Sequence, residues 1–538
     1  MIHGERSWDG PIRTCRRAVG PLIFQSLKPV TPLLPTHSMR IRLSRFGLSA
    51  ALVSSFVVMG SAPSVSVGVA AAPSYPPLFP HAAVADSVAR VSEIFAAFDS
   101  ASSPGCAVAV SREGQVIVRR AFGMADLEHG IANEPGTIFE AGSVAKQFTA
   151  AAVVLLALDG HLSLDDDVRQ WIPEVPDYGE PITIHQMLTH TAGLRDWGSV
   201  AAISGWGRSQ RSHTHEHVLD IVSRQTALNY RPGESYSYSN TGYNLAAVLV
   251  ERITGMSFAD FSRERIFEPL GLEDTQWRAD YRQVVPGRAA AYAPSENGFH
   301  IDRPIEFVHG NGGLLTTVSD LLAWNEHLRT GTMGEEFMAM MHRRAVLNDG
   351  TEIHYAGGLQ FGEQNGVQQI SHTGATSGYR AYLSLFPDEE LSVALLCNSS
   401  SANPGGLGGR VAAVFLPEPP ASSEADDDEA TTSNEEGSDG QAPSPPAFEP
   451  SAHDLAAFAG VYHSDDAETT LEVAVEEGEL MVLRRPSTRM TLRPGSDVDA
   501  FNGPLGQLVF IRDESGEVRE ISLRQARVHD LRFHRVDP

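Results

Sequence analysis

The chain has 538 residues, with 41 Lys plus Arg against 67 Asp plus Glu for a formal net charge of −26. A prior of about 150 residues per domain makes it modular, and 42% hydrophobic with 20% charged residues excludes a wholly disordered, collagen-like or multi-span membrane protein. The acidic balance repels phosphate backbones and argues against nucleic-acid binding, while three cysteines are too few for a disulfide framework or a Cys-rich zinc site.

The long apolar stretch at residues 46–60 is too short to cross a hydrocarbon core but suits the core of a signal peptide. Arg40, Arg42 and Arg45 follow Met39 as a basic leader, and Gly68-Val69-Ala70 before Ala71 offers a small-x-small cleavage site. Residues 39–72 therefore read as a signal peptide and residues 1–38 as a non-native or disordered upstream extension. No Cys stands directly behind the apolar stretch, so a lipid anchor is unsupported. The expectation is a periplasmic or secreted protein whose mature form keeps no membrane span.

Residues 83–98 carry apolar positions at helical spacing. Residues 106–110 and 116–118, around Glu113-Gly114, read as a two-stranded hairpin. An apolar helix pattern fills 147–158, and helices and long loops broken by Pro and Gly run on to about Trp324. Short apolar runs at 368–371, 379–386 and 391–397 bring strands back, so early and late strands can share one sheet around an inserted helical subdomain. Residues 418–450 contain no Lys or Arg, are rich in Asp, Glu, Ser and Pro, and read as an acidic disordered linker. Beyond it, closely spaced runs at 471–475, 480–483, 508–510 and 521–523 read as a small all-β domain over 451–538, a barrel or a sandwich.

Three patterns carry chemistry. Ser143-x-x-Lys146 opens the apolar helix, and residues three apart share a helix face, so the Lys146 amine can reach the Ser143 hydroxyl near free backbone N–H groups. Alone, such a motif is more often a helix start with a surface lysine. Tyr238-Ser239-Asn240 precedes a second helix pattern at 245–253; a Tyr hydroxyl beside a Lys can shuttle a proton, and an Asn amide can bind both a substrate carbonyl and the Lys. Its bland alternative is a capped helix start with an aromatic staple. His372-Thr373-Gly374, at the end of an expected strand, supplies side-chain donors for a carboxylate and a glycine for close backbone approach.

Together, in this order, the three patterns resemble the serine penicillin-recognising enzymes: class C β-lactamases, D-alanyl-D-alanine carboxypeptidases, D-aminopeptidases and related esterases. The resemblance runs from about residue 87 to 417 and includes the segments 183–194 (TIHQMLTHTAGL), 310–322 (GNGGLLTTVSDLL) and 386–398 (FPDEELSVALLCN). It implies an α/β (α+β) fold of the β-lactamase/transpeptidase type over 83–417, an antiparallel sheet flanked by helices plus a helical subdomain. It implies Ser143 as nucleophile, Lys146 as its activator and Tyr238 as proton shuttle. Asn240, His372, Thr373 and Gly374 would bind substrate, the backbone N–H groups of Ser143 and Ala375 would form the oxyanion hole, and no cofactor or metal is implied. Either Lys146 or Tyr238 can be the base.

The expected activity is cleavage of a small amide or ester in the manner of a D-alanyl-peptide carboxypeptidase, through an acyl-serine. The substrate would be a small molecule or short peptide, and protein partners are unassigned. Alternatives are a class C-like β-lactamase, a short-chain esterase or D-aminopeptidase, and a penicillin-binding sensor that does not turn over. His372 stands where most β-lactamases have Lys, giving less fixed charge for a carboxylate. His213-x-His215-Glu216-His217 is read as a solvated loop rather than a metal site, His190 as structural, and no Gly-x-Ser-x-Gly elbow occurs. Should the family sheet set the strands of Cys106 and Cys397 side by side and antiparallel, export would permit a disulfide between them.

Overall fold

The computed structural model describes residues 81–419 and 449–536. The expected upstream extension, the signal peptide and most of the acidic linker lie outside the described residues. A seven-stranded antiparallel sheet runs, in spatial order, Tyr355–Ala356, Leu359–Gln364, Val367–Thr376, Tyr379–Phe386, Leu391–Cys397, Cys106–Arg112 and Gln115–Phe122. Early and late strands do share one sheet, and the helices between them form the inserted region.

The strand Cys106–Arg112 is buried on both faces as far as Ser111, because layers of helices cover both sides. Side chains alternate across a strand, so Cys106, Val108 and Val110 join Val91, Phe95 and Val411 of the terminal helices, while Ala107 and Ala109 face the main helical core. Small residues on that second face let the helices lie close. Cys106 pairs in register with Cys397, and a disulfide joins them.

The helix Ala145–Leu158 sits at the centre of that core, with its first ten residues all buried. Its Ala-rich sequence admits neighbours on every side, including Thr241–Thr254 and Glu335–Met341. Gln147 is paid back for its burial by accepting a hydrogen bond from Trp324 Nε1 at 2.7 Å, and Phe148 packs against the Trp324 ring at 4.4 Å. Among the described residues no helix is long and apolar enough to cross a membrane.

The C-terminal domain is a closed eight-stranded barrel from Gly460–Ser464 to Val528–Val536. The helix Ala452–Phe458, capped by Ser451, delivers Phe458 onto Phe501 and Phe510 inside it. Closure leaves no unpaired strand edge. Several barrel strands escape the sequence pattern: Thr488–Pro494 and Ala500–Gly503 are interrupted by Arg, Pro and Gly, and Val528–Val536 alternates with charged residues because one face is wet.

Two sequence expectations are corrected. His372-Thr373-Gly374 lies inside the strand Val367–Thr376 rather than at its end, since Tyr379–Phe386 continues to pair with it as far as Thr376. The His213–His217 segment is not a solvated loop. His213 is buried and bonded to the Trp206 carbonyl, His215 and His217 lie in the helix His215–Ser223, and His217 closes a capping box with Thr214.

Barrel and catalytic region are joined by polar contacts around residues 195–237. Arg195 forms an ion pair with Asp466 at 2.7 Å, with both side chains buried, and Asp466 also accepts from the Thr226 N–H and hydroxyl. Removing one partner of a buried pair strands the other charge. Asp466→Ala is expected to destabilise the protein by about 3–5 kcal/mol, measured as a shift in denaturant midpoint, with a smaller loss for Asp466→Asn, which keeps an acceptor.

Candidate active site

A short 3₁₀ turn, Gly142–Val144, leads into the helix Ala145–Leu158 and places Ser143 one turn ahead of Lys146. Lys146 is fully buried. Its Nζ lies 3.1 Å from Ser143 Oγ, 2.9 Å from Asn240 Oδ1 and 2.9 Å from the Asn311 carbonyl. Burial drives the Lys146 pKa well below its usual value near 10.5, and the Arg527 and Arg208 charges push the same way. A neutral amine has two N–H donors and one lone pair. The Asn240 and Asn311 oxygens can only accept and so take the two N–H bonds, which leaves the lone pair facing the Ser143 hydroxyl.

Tyr238 and Asn240 come from the loop before the helix Thr241–Thr254, and Asp196 fixes that loop. One Asp196 oxygen accepts from the Asn240 N–H at 2.8 Å, while the other caps the helix Trp197–Ile203 through the Ser199 N–H. His190, in a left-handed conformation, accepts from the Ser239 N–H and stacks on Tyr238 at 4.3 Å. Its place is that of a support for the Tyr238 loop. The Tyr238 hydroxyl is buried without a partner at ordinary hydrogen-bond geometry, although the Ser143 hydroxyl stands beside it. Burial raises its pKa, so the phenol is protonated at neutral pH. The Lys146 Nζ also lies 4.7 Å from the Tyr238 ring centre.

The strand Val367–Thr376 passes directly over the Gly142–Val144 turn. A Cβ at Gly374 would fall 2.1 Å from the Ala141 carbonyl oxygen, and one at Gly142, at φ +50°, would fall 2.6 Å from the Ala375 nitrogen. Only glycines allow that approach, which brings the Ser143 and Ala375 backbone together at the cavity wall. Thr373 and His372 also line the cavity. The His372 Nδ1 meets the Thr373 carbonyl, and Nε2 accepts from the Tyr355 hydroxyl at 3.0 Å. Both ring nitrogens are engaged within the protein, and burial pushes the His372 pKa down to about 3, so the imidazole is neutral.

The cavity has a volume of about 200 Å³ and includes Ser143, Tyr238, Asn240, Arg208, Asn311 and Arg527 in its wall. Arg208 is paired with buried Glu306, which also lies near Arg278; Arg278 in turn pairs with Glu140, the residue three before Ser143. This chain of buried charges anchors the start of the nucleophile turn to the far cavity wall.

Sequence reasoning did not single out Asn311, Asp196 or Arg527. Asn311 lies within the quoted 310–322 segment, but it acts through its backbone carbonyl, which no residue-type pattern marks. Asp196 is legible only as a helix cap. Arg527 sits in a hairpin of the barrel and carries no local signal.

Gly374→Ala is expected to lower kcat by at least about a hundredfold with little change in secondary structure, because a side chain there must displace the nucleophile turn; steady-state kinetics with circular dichroism checks this. The depressed His372 pKa also gives a stability signature. Between about pH 6.5 and 3 the unfolded state binds the proton that the folded state refuses, so stability is complete above 6.5 and falls on acidification. The melting temperature should drop between pH 7 and 4.5, and drop less in His372→Gln.

Against known proteins, the β-lactamase family model matches residues 91–416. The chain is 31% identical over 301 residues to a D-aminopeptidase of Gluconobacter oxydans, covering 56% of each chain, and 29% identical over 318 residues to penicillin-binding protein 4* of Bacillus subtilis, covering 54% of this chain and 67% of that one. It thus spans between about half and two thirds of these relatives' length. The octameric penicillin-binding protein homologue from Pyrococcus abyssi shares the fold at a TM-score of 0.54 with 21% identity, covering 84% of this chain and 99% of that chain. With the family model matching more than half of its length, and the Ser143-Lys146 turn, the Tyr238-Asn240 loop and the Gly374 strand inside the match, the chain belongs to the β-lactamase family.

Proposed function

We propose that the protein is an exported serine hydrolase that cleaves small amides or esters, in the manner of a D-alanyl-peptide carboxypeptidase, through an acyl-Ser143 intermediate. The observation that carries this reading is the buried amine of Lys146, held by two carbonyl acceptors with its Nζ 3.1 Å from Ser143 Oγ. As Oγ attacks the substrate carbonyl carbon, its proton passes to Lys146 Nζ and a tetrahedral oxyanion forms at the Ser143 and Ala375 N–H groups. Collapse breaks the bond to the leaving group, which takes a proton from the Tyr238 hydroxyl, and Lys146 returns its proton to Tyr238. Water then attacks the acyl-enzyme, giving one proton to the same pair while Ser143 Oγ leaves and is reprotonated.

The names of the sequence relatives support D-configured amide or peptide substrates, and that of the Gluconobacter protein keeps D-aminopeptidase as the second reading. Export is supported by the basic-then-apolar pattern of residues 39–72 and by the Cys106–Cys397 disulfide, a bond that persists in oxidising compartments.

Intact-mass spectrometry with a penicillin and with a short-chain activated ester tests the reading. An acyl adduct is expected on the native protein and none on Ser143→Ala; turnover retained by Ser143→Ala would refute the mechanism. Lys146→Ala and Tyr238→Phe should each lower kcat at least about a hundredfold. Because protonated Lys146 has no lone pair, kcat/KM should fall on acidification as the amine takes up its proton, at a pH below the ordinary lysine range.

A further inference from the structure

The barrel reaches into the active site. Its last hairpin, between Val518–Gln525 and Val528–Val536, presses its turn against the loops that carry the catalytic residues. The Arg527 carbonyl accepts from the Asp196 N–H at 3.2 Å and from Asn229 Nδ2 at 3.1 Å. The Ala526 carbonyl accepts from the Ser237 hydroxyl, the Asn229 Oδ1 accepts from the His529 N–H at 2.8 Å, and Arg195 donates to the Asp530 carbonyl. Asp196 is the residue that holds Asn240, and Ser237 precedes Tyr238. The hairpin is therefore fixed to the catalytic loop by backbone groups, which leaves the Arg527 side chain to enter the cavity. Its guanidinium lies 5.0 Å from the Tyr238 ring centre and forms part of the cavity wall.

The charge balance of that wall is uneven. Arg208 and Arg527 are its charged side chains, and no Asp or Glu lines it. Arg208 is matched by Glu306, whereas Arg527 has no carboxylate partner among the described residues. His372 is neutral with both nitrogens engaged, and the buried Lys146 Nζ is taken up by Ser143, Asn240 and Asn311. A guanidinium with free N–H groups, facing a cavity without a counter-charge, is suited to a carboxylate, which it can grip through two parallel hydrogen bonds.

We propose that Arg527 is the receptor for a carboxylate on the leaving-group side of the substrate, so that the barrel rather than the catalytic domain selects what is cleaved. The side follows from Tyr238, which protonates the leaving group in the mechanism above and on whose ring Arg527 rests; the assignment depends on that reading. It deepens it by favouring a substrate that ends in a free carboxylate, as a carboxypeptidase substrate does. A leaving group without a carboxylate would leave the Arg527 guanidinium without a counter-charge.

The experiment compares three probes on the full-length protein: an N-acetyl-D-alanyl ester of D-lactic acid, the matching ester of D-lactamide, and D-alanine amide, which carries a free ammonium. Wild type should prefer the lactate ester over the lactamide ester by tenfold or more in kcat/KM, chiefly through KM, and should favour it over D-alanine amide. Arg527→Gln should reduce the lactate-to-lactamide ratio about tenfold, Arg527→Glu should invert it, and Arg527→Lys should restore part of it. These variants keep the backbone bonds that seat the hairpin, and a loss of folding alone would lower both esters together without moving the ratio. Equal rates on the two esters in wild type, a ratio unmoved by Arg527→Gln, or a preference for D-alanine amide would overturn the proposal. Absence of an acyl-Ser143 adduct with a neutral activated ester would instead refute the serine mechanism, and the assignment with it.

Discussion

Removing the Lys146 amine from water is the constraint around which the site is built. An ammonium in an apolar interior is costly unless it is paired, and the protein supplies no carboxylate in hydrogen-bond contact with it. Burial therefore loosens the amine's hold on its proton, the condition that the proposed base role beside the Ser143 hydroxyl requires. Everything that keeps water from Lys146 sustains that state: the Ala-rich helix that lets neighbours close in, the Thr241–Thr254 helix against it, and the strand Val367–Thr376 over the nucleophile turn. Arg208 and Arg527 add to the effect by repelling a proton from the amine.

The same economy explains the glycines. Backbone N–H groups suit an oxyanion because they are already in place and need not reorganise, and bringing those of Ser143 and Ala375 together means laying a strand across a turn. At Gly374 and Gly142 the two backbones meet with no room for a methyl group. His372 then serves as a rigid, neutral element of the wall, tied to Tyr355 and its own strand, and leaves the cavity's unmatched charge to a residue from another domain.

The barrel thus has two connections to the chemistry. The Arg195–Asp466 pair and the hydrogen bonds around residues 526–530 hold it against the segments that position Tyr238 and Asn240, and the turn between those bonds carries Arg527. Position and charge arrive through the same hairpin, so a change in barrel docking alters the pocket without touching the nucleophile.

The sequence by itself determined the elements whose causes are local. Short apolar runs marked the strands around Cys106 and Cys397, an apolar helix pattern marked residues 147–158, and the three short motifs named Ser143, Lys146, Tyr238, Asn240 and the His372–Gly374 run, because each couples a reactive residue type to a helix start or a strand. The wet barrel strands were less legible, since polar, charged, Pro and Gly residues interrupt their apolar runs. Which residues share the cavity was decided only in the tertiary structure. The lowered Lys146 pKa comes from burial by segments distant in sequence, the Asn311 carbonyl alone standing 165 residues away, the neutrality of His372 from burial, and the place of Arg527 from a hairpin docking across domains. Solvent exclusion and charge balance are properties of the packed ensemble of groups around an atom, and no stretch of contiguous residues encodes them.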